Sequence, residues 1–532
     1  MTRCVLRLPI IVAVALLAAG ATPQLAAAQP RSRAGAAARD VTAPRDAVRR
    51  HRVARESEIV RELVALLAVP NLASDSAGIR RNAALLRTML ERRGATTRLL
   101  ESPAGGPPAV YGELRAPGAT RTLVFYAHYD GQPVIPAQWA TPPWTPTLRS
   151  GTLEGRGRVL ALPAPGATLP PETRLYARSA SDDKGPIVAM LAALDGLAAA
   201  GVARSVNLKF FLEGEEEAGS DHLRALLERH AALLRADAWI FADGPRHQSG
   251  AMQVVYGVRG VLGAQLTVYG PARALHSGHY GNWAPNPAAM LASLLASMRA
   301  EDGTPTVAGF ADAVRAPTAA ERAAIAAIPD TDAELATSLG LGRVEGGGAR
   351  LLERIMLPAL NVSGLQAGGV GAQASNTINS TATAALDFRL VPDQTPAGVR
   401  RAVEAHVRAR GYHVVHDEPD VATLRAHPRV ARLEWGEGYA GIRTDLGLPV
   451  ARAVAQLAEE ALGTPVLRVP TLGGSLPLTH FAEVLRVPLV IVPIVNADNN
   501  QHAANENLRL QNLWEGMEVF GQLVGRLGAV WR

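Results

Sequence analysis

The chain has 532 residues, a formal net charge of +6 and a single cysteine. That length suits two or three domains, and 48% hydrophobic with 19% charged residues is the composition of an ordinary soluble globular protein. Basic residues are dispersed, and Lys184 and Lys209 are the only lysines. No basic run carries interleaved aromatics, which excludes nucleic acid as an expected partner.

Residues 1–28 have the pattern of a secretory signal peptide. Arg3 and Arg7 form a positive start, Leu8 to Leu17 an apolar core, and Ala26-Ala27-Ala28 a small-residue cleavage site. The apolar run is short for a membrane span of about 20 residues. The expectation is export to the periplasm or beyond after cleavage near Ala28, with no stable membrane anchor left. Cys4 precedes the apolar core, where a lipid-modified cysteine does not belong. The mature chain therefore has no thiol, and a metal must be held by histidines and carboxylates.

Residues 29–45, rich in Ala, Arg and Pro, are expected to be a flexible leader. Apolar residues at helical spacing then predict a helix from Asp46 to Ala68, closed by Val69-Pro70. A second helix follows from Asn82 to Arg93. Short strands are expected near Thr96 to Glu101 and Ala109 to Arg115. The continuous apolar run from Leu123 predicts a fully buried strand ending in His128 and Asp130. Residues 131–175 are expected to be a long irregular loop, with Trp139 and Trp144. YARSASDDKG leads into a helix at Pro186 to Ala200. A strand at Val206 to Leu212 ends in Glu213-Gly214-Glu215-Glu216-Glu217, and a strand at Ala238 to Ala242 ends in Asp243. Strands alternating with helices predict an α/β domain with a mainly parallel sheet.

Near Tyr256 the pattern changes to strand–helix–strand–strand–helix–strand, the ferredoxin-like order. The elements are Val261 to Tyr269, Pro285 to Arg299, Leu360 to Leu365, Thr381 to Val391, Pro396 to Arg410 and Tyr412 to His416. The organisation expected is a catalytic domain over 46–256 and 438–532, interrupted by an inserted α+β domain over 257–437. Residues 303–350 add extra helices and loops to the insert.

His128, Asp182 or Asp183, Glu216 and Glu217, and Asp243 all fall just past strand ends, where sites form in such sheets. His502, in a polar loop, is the fifth candidate. Carboxylates so close repel unless cations neutralise them. Two divalent ions balance three ligating carboxylates and one hydroxide, so the set suits a two-metal site. Adjacent Glu216 and Glu217 can divide the work, one on a metal and the other as a base toward water. Singly, Asp243 is a common cap or loop residue, Glu213 to Glu217 a solvated charged face, and His502 a surface histidine. Only their joint placement carries the metal reading. His222, His247, His279 and His480 are further histidines nearby, and Trp283 could line a pocket.

HYDGQP, ARSASDDKGP, EGEEEAGS, the Asp of FADGP, HSGHYG and NQHAANE resemble the carnosinase and aminoacylase family of dinuclear zinc exopeptidases, most closely its dipeptidase branch. The resemblance implies His128 and His502 on one metal each, Asp182 bridging both, Glu217 completing one and Asp243 the other. It implies Asp130 as the group that orients His128, Glu216 as general base, and a cis peptide at Asp182-Asp183. The insert would be a lid that also mediates homodimerisation. His276 would reach an active site, that of the partner subunit, and polarise the scissile carbonyl. Arg389 would clamp the substrate carboxylate, with Gly474 and Ser475 in a loop at the same end. Ser179 stands where the family has glycine, and the 145–173 loop is longer than the family's.

The implied activity is hydrolysis of dipeptides or short peptides with a free C-terminal carboxylate, by a two-metal-activated water. The cofactors are two divalent ions per subunit, zinc first, with manganese or cobalt also suited to the ligands. The alternatives are an N-acyl amino acid deacylase and, in a different class, a non-catalytic binding protein of the same fold.

Overall fold

The strand that ends in His128 lies at the centre of an eight-stranded mixed sheet. The structure is a computed structural model and describes residues 41–532; the expected signal peptide, and the leader as far as residue 40, lie outside the described residues. Across the sheet run Thr96–Leu100, Ala109–Leu114, Asn207–Glu213, Thr122–His128, Ala238–Phe241, Leu489–Ile491, Gln253–Val255 and Leu467–Val469. The His128 strand is parallel to both its neighbours, and Leu489–Ile491 is parallel to Ala238–Phe241. Its register with Asn207–Glu213 pairs His128 with Glu213. The chain therefore leaves all three parallel strands at one edge, toward Asp130, Glu216 and Asp243.

These strands are apolar on both faces because both faces are covered. On one side Phe125, Ala127 and Phe210 join a core closed by the helices Ala43–Leu67, Lys184–Ala199, Pro449–Leu462 and Leu510–Val530. On the other, Tyr126, Phe211, Trp239, Phe241 and Phe481 form an aromatic cluster, the Tyr126 and Phe241 rings 4.4 Å apart. Each such ring contributes roughly 1.5–3 kcal/mol by leaving water. That burial is what fixes the strand ends, and with them the side chains beyond.

The first helix starts at Ala43, so the last residues of the expected leader are helical; Pro44 suits a first turn, where no N–H is needed. The stretch 131–175, expected to be irregular, contributes three strands to a four-stranded sheet, in the order Asn507–Arg509, Arg174–Tyr176, Thr147–Arg149, Val159–Leu160. Its short strands carry Pro- and Gly-rich connections, which hide them in the sequence. Among the described residues no helix is long and apolar enough to cross a membrane.

The second sheet has its own core, with Leu262, Leu266, Phe388, Val403 and Leu433 packed under the helices Pro287–Ala296 and Pro396–Ala409. Its order is Ala359–Gln366, Thr381–Leu390, Gly260–Tyr269, Val430–Tyr439, His413–Val415. The strand beside Gly260–Tyr269 is thus Val430–Tyr439, not the expected Tyr412 to His416. The latter pairs at the edge, parallel to Val430–Tyr439, and the helix Val421–Ala426 connects the two. Along Thr381–Leu390 every second residue is buried. Asp387 and Arg389 point from the opposite face, away from the helices.

Candidate active site

His128 and Asp130 leave their strand on one side, both fully buried. Asp130 holds more than its neighbour. Its carboxylate lies 3.4 Å from His128 Nδ1 and accepts the backbone N–H groups of Glu216 (3.1 Å) and Glu217 (3.0 Å). One side chain therefore sets the His128 ring and the turn that presents both glutamates.

Asp182 lies between two imidazoles. Its Oδ1 is 2.8 Å from His128 Nε2 and its Oδ2 is 3.2 Å from His502 Nε2, which also lies 3.2 Å from Glu217 Oε2. The Asp182-Asp183 peptide is cis. Asp183, the other sequence candidate, turns back instead and accepts the His128 N–H at 3.2 Å. Two groups have ligand atoms within 4.8 Å of one another: His128, Asp182 and Glu217; and His128, Glu216 and Asp243. All the sequence-expected ligands converge, and Glu216 is within reach of the same centre.

The donor set fits a pair of cations. Glu217 Oε1 is buried with no hydrogen-bond partner, an atom aimed into the cluster that a cation would satisfy. The electrostatics agree. Burial, reinforced by Asp182, pushes Asp243 up to about 7, and burial with Asp243 and Glu217 raises Glu216 well above its ordinary range. Asp182 is held below the usual carboxylate range, because hydrogen bonds from His128 and His502 outweigh its burial. Hydrogen bonds to Asp182 and Glu217 raise His502 to about 10. Without cations the site therefore retains protons at neutral pH that ligation must displace. Metal affinity should weaken as pH falls from 8 to 6, by about tenfold per pH unit for each proton displaced. Calorimetric titration in buffers of different ionisation enthalpy should show proton release; a buffer-independent enthalpy would refute this.

Behind the ligands lies a support that the sequence did not reveal. Glu506 is fully buried and accepts from five donors. They are Arg178 Nη1 and the Ser179 N–H on one oxygen (both 2.8 Å), and the Ser181 N–H, Ser181 Oγ and Asp182 N–H on the other (each 2.9 Å). The small sheet makes this possible, since Asn507–Arg509 pairs with Arg174–Tyr176 and delivers Glu506 beside 178–182. Ser179 adopts a left-handed φ of 63°, a region that favours glycine. Its Oγ accepts from Asn71 at 2.8 Å. The long loop packs on the same support: Arg178 lies 5.1 Å over the Trp139 ring, and Trp144 Nε1 donates to Asn71.

Arg389 and Ser475 meet, Nη1 donating to Oγ at 2.9 Å, and Arg389 Nε donates to Asp387 at 3.1 Å. Gly474 accepts the Arg259 N–H through its carbonyl. Tyr439 packs near His480 at this end. Burial pushes its phenol up to about 12, and both the Glu216 carboxylate and the Arg389 guanidinium act on it. His276 is not brought to the cluster within one chain. It is exposed, its Nδ1 accepts the Gly278 N–H at 3.1 Å, and its ring lies 4.5 Å from that of His279. The lesser candidates have local roles. His222 bonds Glu215 at 2.6 Å, His247 bonds Ser249, and His480 tilts against Tyr439. Trp283 is 80% exposed, its ring 6.1 Å from that of Tyr280.

The chain is similar to known enzymes over most of its length. It is 26% identical over 430 residues to the Cys-Gly metallodipeptidase dug1 of Schizosaccharomyces pombe, covering 80% of this chain and 83% of that one. It is 26% identical over 438 residues to the human Beta-Ala-His dipeptidase, covering 78% and 76%. Among solved structures, an M20 family metallo-carboxypeptidase from Sulfolobus solfataricus superposes with a TM-score of 0.71 at 27% identity, over 88% of this chain and 99% of that one. The pattern of Peptidase family M20/M25/M40 matches residues 161–526, well over half of the sequence, and the chain belongs to that family of metallopeptidases.

Proposed function

We propose that the protein is a dipeptidase that hydrolyses the amide bond of dipeptides or short peptides with a free C-terminal carboxylate. The observation that carries this is the convergence of His128, Asp182, Glu216, Glu217, Asp243 and His502 into a cluster able to hold metal ions, with the Arg389–Ser475 pair as a separate anion-binding group. His128, Asp182, Glu217, Asp243 and His502 would hold two divalent ions, zinc being well suited to the donors. When bound, the ions supply Lewis acidity toward the carbonyl and an acidified water.

The chain's own groups do the rest. Arg389 binds the terminal carboxylate and so fixes which bond lies over the cluster. Glu216, half-buried beside Asp243 and positioned through its N–H by Asp130, accepts a proton from the attacking water at its carboxylate. It then returns that proton to the leaving amine. His276 completes the site from the lid of a partner subunit and donates toward the carbonyl oxygen as charge develops there. Homodimerisation through the lid and export after signal cleavage belong to the same proposal.

The names of the relatives support the dipeptidase reading over the N-acyl amino acid deacylase. The test is hydrolysis by the mature protein of a dipeptide panel beside N-acetyl amino acids, with and without chelator. Chelator-sensitive cleavage of dipeptides is expected, with kcat/KM at least about 100-fold lower for a dipeptide C-terminal amide, as a charge-assisted pair is lost. Cleavage of acetyl amino acids alone would overturn the dipeptidase reading. Equal rates on acid and amide would remove Arg389 from its role.

A further inference from the structure

Residues 301–357 connect the helix Pro287–Ala296 to the strand Ala359–Gln366 and carry three short helices, Ala319–Ala327, Asp332–Ser338 and Leu351–Ile355. Val307 and Phe310 join the core beneath the second sheet, whereas the helices Asp332–Ser338 and Leu351–Ile355 lie outside it. Together with the edge strand they wall a cavity of about 460 Å³. Leu335, Ala336, Leu339, Leu351 and Ile355 line it, with charged groups at its margin that include Arg259 and the Arg299–Glu345 ion pair. Leu339 is 62% and Leu351 45% exposed, so apolar surface faces this space without a partner in the chain.

The cavity adjoins the carboxylate clamp. Ala359, on its wall, pairs across the sheet with Arg389, so the two side chains share a face. A side chain on Gly473, two residues before Ser475, would touch Ile355 at 3.2 Å and Arg259 at 3.5 Å. Arg259 Nε donates to the Gly473 carbonyl at 3.0 Å, and among the described residues its terminal nitrogens have no recorded hydrogen-bond partner. Burial and the like charge of Arg389 act against Arg259, and Asp387 is the carboxylate that answers them. Two guanidinium groups against one carboxylate leave positive charge beside an apolar space.

We propose that this cavity takes the large apolar side chain of the substrate's C-terminal residue, while Arg259 joins Arg389 in holding that residue's carboxylate. An anion with an apolar side chain is the chemistry that complements both walls. The volume lies in the range of small-ligand sites, far larger than a methyl side chain needs. The inference rests on the dipeptidase reading and deepens it: the insert sets which dipeptides are cleaved.

The experiment compares Ala-Phe, Ala-Leu and Ala-Gly. The parent enzyme should favour the first two in kcat/KM by roughly 10–100-fold, the range a hydrophobic pocket gives. Ala336→Trp, which plugs the cavity, should bring the Ala-Phe to Ala-Gly ratio toward parity at normal metal content. Leu335→Glu, which charges the same wall, should do the same if the first variant fails to fold. Arg259→Gln should raise KM for all three peptides rather than lower kcat. No preference in the parent, or a ratio that survives both substitutions, overturns the inference and leaves the dipeptidase reading standing. A parent that cleaves none of the three peptides overturns both.

Discussion

Glu216→Gln should lower kcat by roughly 10²–10⁴-fold while both metals stay bound. The amide keeps the volume of the side chain, and the backbone N–H of residue 216 can still donate to Asp130. What is lost is the oxygen that accepts a proton from water. Metal analysis beside steady-state kinetics decides the matter: wild-type turnover at full metal content would sink Glu216 as the base. The same variant tests the proposal that a partner subunit supplies His276. Mixed with His276→Ala, it should recover about a quarter of wild-type activity, because random pairing gives half heterodimers with one intact composite site each. No recovery after exchange of subunits would place His276 outside the partner's site.

Glu506→Ala should destabilise the protein by about 3–5 kcal/mol. Arg178, its side chain 2% exposed, would be left as a buried cation without its counter-charge. Three N–H groups and the Ser181 hydroxyl would lose their acceptor too, each a cost of about 1–3 kcal/mol when taken alone and less in sum because they share one carboxylate. Burial raises the Glu506 pKa against the pull of Arg178, yet five donors on two oxygens leave no room for a carboxyl proton. Denaturant unfolding of metal-free protein measures the loss. The further change Arg178→Met should recover part of it, since the unpaired charge goes as well. A loss below about 1 kcal/mol would show that water replaces the carboxylate easily.

The parts legible in the sequence were those set by local burial. A strand as apolar as Leu123 to Ala127 has one plausible environment, and the polar residues at its end stand out for that reason. The sequence of strand ends then marked Asp182, Glu217 and Asp243, and the structure gathers them around His128. Glu506 was hidden because its partners lie 324–328 residues away. It also sits in a loop of amide side chains that reads as solvated surface. The signal was there: one glutamate in that loop, directly before a buried strand, and one arginine four residues before Asp182. Val430–Tyr439 was missed because its outer half carries Gly436, Glu437 and Gly438, which break the alternation a strand shows. Arg259 gave no sign, since a single arginine before an apolar strand has no pattern to betray it.

The late position of Glu506 and His502 has a consequence for how the protein is made. A chain emerging from the ribosome completes the central sheet strands through Ala238–Phe241 long before the last segment is synthesised. Until that segment arrives, Asp182 has neither its second imidazole nor the carboxylate that holds its N–H. Chains truncated before His502 should therefore lack the full set of candidate metal-holding groups, and hydrolysis is expected only once the segment carrying His502 and Glu506 has folded onto the sheet.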